Sequence, residues 1–162
     1  MLLDFFVDRL TNSIQNTISG DSFPTEVSRF TLKDSKRTAK KNGWNFNWKA
    51  ELKDDINEVY KLTIVNNPDI IQGVLSVRKE SDHIFMNLLE NAPFNKGVAG
   101  NLVAYACKLS FQYGFDGFVA FTAKTKLIAH YEASLGANHI GGHRMIIEAH
   151  AARFLVEKYF KT

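Results

Sequence analysis

Apolar and polar residues follow the two periods of regular secondary structure along most of the chain. Over residues 3–18 the apolar residues recur at helical spacing, and Gly20 follows as a stop signal, which predicts an N-terminal helix. A short strand is predicted over residues 26–32. From residue 44 to residue 52 apolar and polar residues alternate, which is the pattern of a half-buried strand.

Three further apolar runs in the middle of the chain have the length of strands. They cover residues 58–65, 70–79 and 83–90, and turn signals separate them at residues 66–69 and at Asp82. The third run is apolar on both faces, which predicts a strand in the centre of the sheet.

The second half of the chain alternates between helices and strands. Helices are predicted over residues 98–113, 125–136 and 149–160, and strands over residues 117–123 and 143–148. Two adjacent strands that are joined by a helix are expected to run parallel. The order therefore predicts an α/β (α+β mixed) protein with a central mixed β-sheet flanked by helices.

The composition is that of a globular protein. The chain has 162 residues, of which 45% are hydrophobic and 13 are phenylalanine, which suits one domain with a sizeable core. The one cysteine, Cys107, lies within a predicted helix, so a buried free thiol is expected. No apolar stretch approaches the roughly 18 residues of a membrane span, and the first ten residues lack the basic segment of a signal peptide. We therefore expect a cytoplasmic protein.

The formal net charge of +3 is concentrated in one segment, residues 33–41, which is predicted to form a short helix. One acidic residue, Asp34, stands among five cations. The cations, which helical spacing places on one face, are Lys33, Lys36, Arg37, Lys40 and Lys41. Three interpretations stay open: a solvated face, a rim that selects an acidic acceptor and, least favoured, a nucleic-acid surface.

A glycine-containing turn precedes the helix predicted over residues 98–113. Gly97 and Gly100 bracket its start. A helix N-terminus offers unpaired N–H groups and the positive end of the helix dipole, and glycine lets a phosphate approach the backbone closely. The turn fills neither G-x-x-x-x-G-K-[ST] nor G-x-G-x-x-G, so a simple tight turn is the alternative.

The next helix ends in the letters YEASLGA at residues 131–137, one β-α unit beyond the glycine turn FNKGVA at residues 94–99. Together the two segments resemble the GNAT-type acetyl-CoA-dependent N-acetyltransferases, which have a Gln/Arg-x-x-Gly-x-Gly/Ala turn and a Tyr-x-x-x-Gly-like helix ending. The resemblance covers roughly residues 44–147. It implies a single GNAT-like domain over residues 1–162, with residues 1–30 forming an extra helix and strand outside the common core. Phe94 departs from the Gln/Arg of the family.

The resemblance implies an acyltransferase that transfers an acetyl group from acetyl-CoA to a primary amine by direct attack. It assigns Tyr131 as the general acid, because a phenol with a pKa near ~10 matches a thiol leaving group. Core packing is the alternative for this residue, because it shares a helix face with Ile128 and Leu135. Glu90, at the end of the predicted central strand, is the candidate base, acting through water; an ordinary acidic residue at a strand end is the alternative. Acetyl-CoA, the cosubstrate, is expected to contact ten residues: Leu88, Leu89, Lys96, Gly97, Val98, Ala99, Gly100, Asn101, Leu102 and Lys124.

The acceptor is expected to be a small-molecule or peptide amine, and the basic segment favours an acidic one. Neither a membrane nor a nucleic acid is expected as a partner, and a homodimer is left open. No metal is expected, because Gly141 and Gly142 stand between His139 and His143 and interrupt the helix that an i, i+4 pair needs. The alternative function is a non-catalytic GNAT-fold module that binds acyl-CoA, a protein or a nucleic acid.

Overall fold

The structure is a computed structural model that describes residues 13–15, 22–94 and 98–160, with side chains from residue 25 onward. Short 3₁₀ turns at Lys40–Asn42 and Thr125–Leu127 accompany the regular elements. In chain order the elements are β1 (Ser13–Gln15), β2 (Ser22–Arg29), α1 (Leu32–Arg37), α2 (Trp48–Lys53), β3 (Asn57–Ile64), β4 (Asn67–Lys79), β5 (Ile84–Asn91), α3 (Ala99–Gln112), β6 (Val119–Thr122), α4 (Ile128–Leu135), β7 (Asn138–His139), β8 (Arg144–Ile147) and α5 (Ala149–Tyr159).

The strands form one sheet in the order β1-β2-β3-β4-β5-β6-β8-β7. Neighbouring strands are antiparallel except β5 and β6, which are parallel and are joined through α3. This connection is the one for which the sequence predicts a parallel pair. The predicted mixed sheet with flanking helices is confirmed.

Most predicted elements from residue 57 onward are confirmed, whereas the predictions for residues 13–15 and 44–52 are wrong. Residues 44–52 do not form a strand. Asn47 caps α2 by accepting the Ala50 N–H at 3.0 Å, and both Trp44, which precedes the helix, and Trp48, its first residue, are buried. Of the helix predicted over residues 3–18, the described part, residues 13–15, is strand β1; the remainder lies outside the described residues.

Helices cover the sheet on both faces. The larger core lies under α3, α4 and α5 (the α3 face), and it includes Met86 and Leu89 of β5. The smaller core lies under α1 and α2 (the α2 face). Its buried residues are Phe30, Trp44, Trp48, Val59, Ile71, Val74, Leu88 and Ala92.

Candidate functional site

The parallel ladder between β5 and β6 is short. In the described residues it contains two pairs, Ile84 with Val119 and Phe85 with Ala120. Beyond them β5 stays paired with β4 as far as Asn91, while β6 continues its ladder with β8. The sheet is therefore open between the carboxyl-terminal ends of β5 and β6, where ligands bind in many α/β proteins.

A β-bulge lies in β5 at the start of this opening. Ser76 of β4 pairs with Leu88, whereas the next residue, Val77, pairs with Met86, so Asn87 is the extra residue. A bulge bends its strand and increases the local twist. The bulge therefore accompanies the divergence of β5 from β6, and the Asn87 side chain is held by a 2.9 Å hydrogen bond to Asn57 Oδ1.

The first turn of α3 packs closely against the sheet. A Cβ atom on Gly73 of β4 would lie 2.8 Å from Val98 Cγ2 and 3.0 Å from Leu102 Cδ1. All five predicted contact residues in this turn, Val98, Ala99, Gly100, Asn101 and Leu102, are buried. Lys96 and Gly97 lie outside the described residues.

Gly100 and Asn101 differ in what they offer to a ligand. A Cβ atom on Gly100 would lie only 1.9 Å from Tyr159 Oη, so the missing side chain makes room for α5. Close packing against α5 therefore explains why residue 100 is glycine, and no bound phosphate is needed to explain it. Asn101 is 2% exposed, and among the described residues its Nδ2 has no hydrogen-bond partner; Asn91 Oδ1, at the end of β5, is likewise a buried atom without one there. Unpaired buried polar atoms are costly unless a ligand or water satisfies them.

Tyr131 lies on α4 and is completely buried on the α3 face, with 0% exposure. Its ring meets Phe121 edge to face, with centroids 5.6 Å apart. Phe121 directly follows Ala120, which makes the last pair between β6 and β5. Tyr131 therefore packs against the residue at which the two strands stop pairing.

Glu90 is buried on the α2 face with 7% exposure, and its carboxylate accepts three N–H donors. Asn45 N donates to Oε2 at 2.6 Å, while Phe46 N at 3.2 Å and Trp48 Nε1 at 2.8 Å donate to Oε1. A carboxylate has about four lone-pair positions, so the predicted base is largely occupied in holding the segment before α2.

The other predicted contact residues lie on different sides of the opening. Leu88 belongs to the core of the α2 face and Leu89 to that of the α3 face. Lys124 is half-buried and precedes the 3₁₀ turn that leads into α4.

A cavity of about 390 Å³ lies on the α2 face at the open part of the sheet. Residues from both separating strands line it, as do residues at the end of α2. These include Glu51, Asp54, Arg78, Asn87, Leu88 and Thr122. The sequence did not predict this cavity, because residues 44–52 were assigned to a strand; the signal that could have found α2 is the capping residue Asn47.

The basic segment is not one continuous helix. Helix α1 ends at Arg37, and the 3₁₀ turn follows. Arg37 contacts Asp34 at 3.6 Å and Asp69 at 3.4 Å. Burial favours the neutral form of Asp34, but hydrogen bonds from Thr31 and Lys61 outweigh it and hold the pKa of this carboxyl below its ordinary value. None of the five cations lines the cavity.

Two further features bear on chemistry. Cys107 is fully buried, and burial raises the pKa of its thiol, which opposes a nucleophilic role. In the part of the chain that the structure describes, no three His, Cys, Asp or Glu residues are grouped to hold a metal.

No helix in the described part of the chain combines the length and apolar character needed to cross a membrane.

Comparison with known proteins identifies the fold. No protein-family model and no curated protein matches the chain. Among solved structures, the spermidine/spermine N-acetyltransferase SpeG from Vibrio cholerae is similar, with a TM-score of 0.61 at 11% identity, covering 80% of this chain and 96% of that chain. The ribosomal-protein-S18-alanine N-acetyltransferase from Escherichia coli has a TM-score of 0.56 at 12% identity, covering 76% and 90%.

A third similar structure is a mutant of the toxin AtaT bound to the C-terminus of the antitoxin AtaR and to acetyl-CoA. Its TM-score is 0.57 at 13% identity, and the match covers 85% of this chain and 99% of that chain. The chain therefore has the fold of the GNAT-type N-acetyltransferases, and the predicted resemblance is confirmed at the level of the fold.

Proposed function

We propose that the protein is an N-acetyltransferase that transfers the acetyl group of acetyl-CoA to a primary amine. The observation that carries the proposal is the opening between β5 and β6, with the first turn of α3 and Tyr131 on one face and the cavity on the other. Two substrates could enter from opposite faces and meet between the strands. Structures with this fold include two N-acetyltransferases and a toxin bound to acetyl-CoA.

The residues at the opening fit acetyl-CoA in two respects. The backbone of residues 88–90 borders the opening, and the N–H groups of a strand point alternately to its two edges, so one that faces away from β4 is available to a polarised thioester carbonyl. The start of α3 has the dipole end that favours a pyrophosphate, and Asn101 Nδ2 in its first turn is a buried donor that no described residue satisfies.

In the proposed mechanism the amine nitrogen forms a bond to the carbonyl carbon as the carbon–sulfur bond breaks. Tyr131 donates its phenol proton to the departing thiolate and regains a proton from water. The surplus proton of the amine leaves through water. Glu90 was predicted to assist this step, and its three bound donors support a positioning role for it instead.

A second candidate function is a GNAT-fold module that binds acyl-CoA without turnover. Phe94 favours it, because this residue is 40% exposed and stands where the family has a polar Gln or Arg. Binding without CoA release against any amine would identify this second function.

The test is a thermal melt with acetyl-CoA, followed by a CoA-release assay with primary amines. A ligand at 100 times its dissociation constant stabilises the folded protein by about 2.7 kcal/mol. Asn101→Leu keeps a similar volume and removes the orphaned amide, so it should lower acetyl-CoA affinity without lowering the stability of the free protein. A melt that saturating acetyl-CoA leaves unmoved would contradict the proposal.

A further inference from the structure

The cavity on the α2 face carries unpaired negative charge. Glu51 is half-buried, and within the described part of the chain its carboxylate makes no hydrogen bond or ion pair. The carboxylate of Asp54, one turn further along, is exposed and accepts the Ile56 N–H at 3.3 Å. A half-buried carboxylate such as that of Glu51 is stabilised by a cation nearby, and among the described residues neither of the two carboxylates forms an ion pair.

The one cation that the described residues contribute to the cavity wall is already engaged. Arg78 Nε donates to Glu80 Oε1, and its Nη1 lies 3.4 Å from Asn87 Oδ1. Its guanidinium also lies 4.5 Å from the centroid of the Phe85 ring. Because Glu80 neutralises Arg78, the charges left for a ligand are those of Glu51 and Asp54.

The cavity also limits the size of its ligand. Its volume of about 390 Å³ is at the lower end of the ~300–1,000 Å³ typical of small-molecule sites. Asn57, Asn87 and Thr122 add polar groups to the wall, and Thr122 belongs to the strand on the far side of the opening.

We propose that the acceptor is a small primary amine that carries a second positive charge, held by Glu51 and Asp54 while the reacting amine lies at the opening. This inference rests on the proposed acetyltransferase function, since it takes the cavity as the acceptor site. It replaces the expectation of an acidic acceptor for two reasons. The basic segment lies outside the cavity, and Arg37, which belongs to that segment, is paired with acidic residues.

The experiment compares three amines of one length: 1,5-diaminopentane, 5-aminopentan-1-ol and 5-aminopentanoate. Each presents the same primary amine, and the far end is positive, neutral or negative. We expect kcat/KM for CoA release to fall in that order, by about tenfold or more between the diamine and the amino alcohol, as for a hydrogen bond to a charged group. A lysine-containing peptide distinguishes a small-molecule acceptor from a side chain; preference for the peptide would overturn the small-molecule assignment.

Glu51→Gln should abolish most of the preference for the diamine over the amino alcohol, measured as the ratio of their kcat/KM values. The matched control is Glu157→Gln on α5, an exposed carboxylate on the opposite face, which should change neither value. Equal or better use of 5-aminopentanoate, or a preference that survives Glu51→Gln, would overturn the inference.

Calorimetric titration of the three amines keeps this inference separate from the proposed function. If no amine releases CoA, the diamine should still bind about tenfold more tightly than the amino alcohol, and Glu51→Gln should remove the difference. Equal binding would then refute the cation site, whereas acetyl-CoA that neither binds nor reacts would refute the acetyltransferase itself.

Discussion

The two faces of the sheet are stabilised in different ways. On the α3 face, helices of 14 and 11 residues cover an apolar core in which Tyr131 and Cys107 are completely buried. On the α2 face, two helices of six residues each lie over a smaller core, and isolated helices of that length are not stable in water. There the buried carboxylate of Glu90 anchors the segment before α2. Apolar packing therefore stabilises the α3 face, while the α2 face depends on a few polar contacts around a cavity.

The largest effect is expected from Tyr131 on the packed face. Tyr131→Phe keeps the ring and its contact with Phe121, so stability should change little, but it removes the proton donor. General acid catalysis is typically worth ~10²- to 10⁴-fold, and kcat should fall by that factor with acetyl-CoA binding nearly unchanged. Steady-state kinetics and a thermal melt measure the two quantities. Wild-type turnover by the mutant would assign Tyr131 to packing alone.

The next effect concerns Glu90 on the α2 face. Glu90→Ala leaves the N–H groups of Asn45, Phe46 and Trp48 without their acceptor, and we expect a loss of about 3 kcal/mol. For a chain of this size that loss lowers Tm by about 6–12 °C. In a thermal melt of this variant, Trp48 fluorescence should change at a lower temperature than that at which the α3 face unfolds, because the segment before α2 is loosened first.

Glu90→Gln is the matched control, because it keeps one carbonyl oxygen as an acceptor. If Glu90 anchors the segment before α2, Glu90→Gln should have an intermediate Tm and a pH profile of kcat close to that of the wild type. If Glu90 is the catalytic base, Glu90→Gln should have a nearly native Tm and a large fall in kcat, which would restore the role predicted from the sequence.

The smallest effect is expected at Gly100. Gly100→Ala brings a methyl group against Tyr159, and overpacking of this kind costs about 1–3 kcal/mol. Chemical denaturation should show the loss, and Tyr159→Leu in the same chain should recover part of it. A variant with native stability but weak acetyl-CoA binding would instead support the cosubstrate contact that the sequence predicted.

How far the sequence could predict these features depends on whether a feature is local. Strands β3 to β5 and helix α3 have periods that are visible within ten to fifteen residues, and they follow the prediction. Residues 44–52 do not, because Trp44 and Trp48 satisfy both alternation and a helical i, i+4 spacing. Tertiary packing decides between the two patterns.

The same distinction between local and non-local features applies to the candidate site. The family motif predicts site roles for Tyr131 and for the turn before α3, since both segments are short and continuous in sequence. The partners of Glu90 lie more than 40 residues away in sequence, and the cavity is assembled from α2, β4, β5 and β6. Neither can be read from spacing along the chain.

The bulge at Asn87 also constrains how this chain can change in length. Side chains alternate along a strand, so residues two apart normally share a face; yet Met86 lies in one core and Leu88 in the other because Asn87 is inserted between them. Deletion of Asn87 alone would make Met86 and Leu88 adjacent, and adjacent residues of a regular strand point to opposite sides, so every later residue of β5 would keep its present side. The carboxylate of Glu90 would stay on the α2 face, and the strand would lose its bend instead. The chain can therefore shorten by one residue at this point without turning the strand over, which a regular strand does not allow.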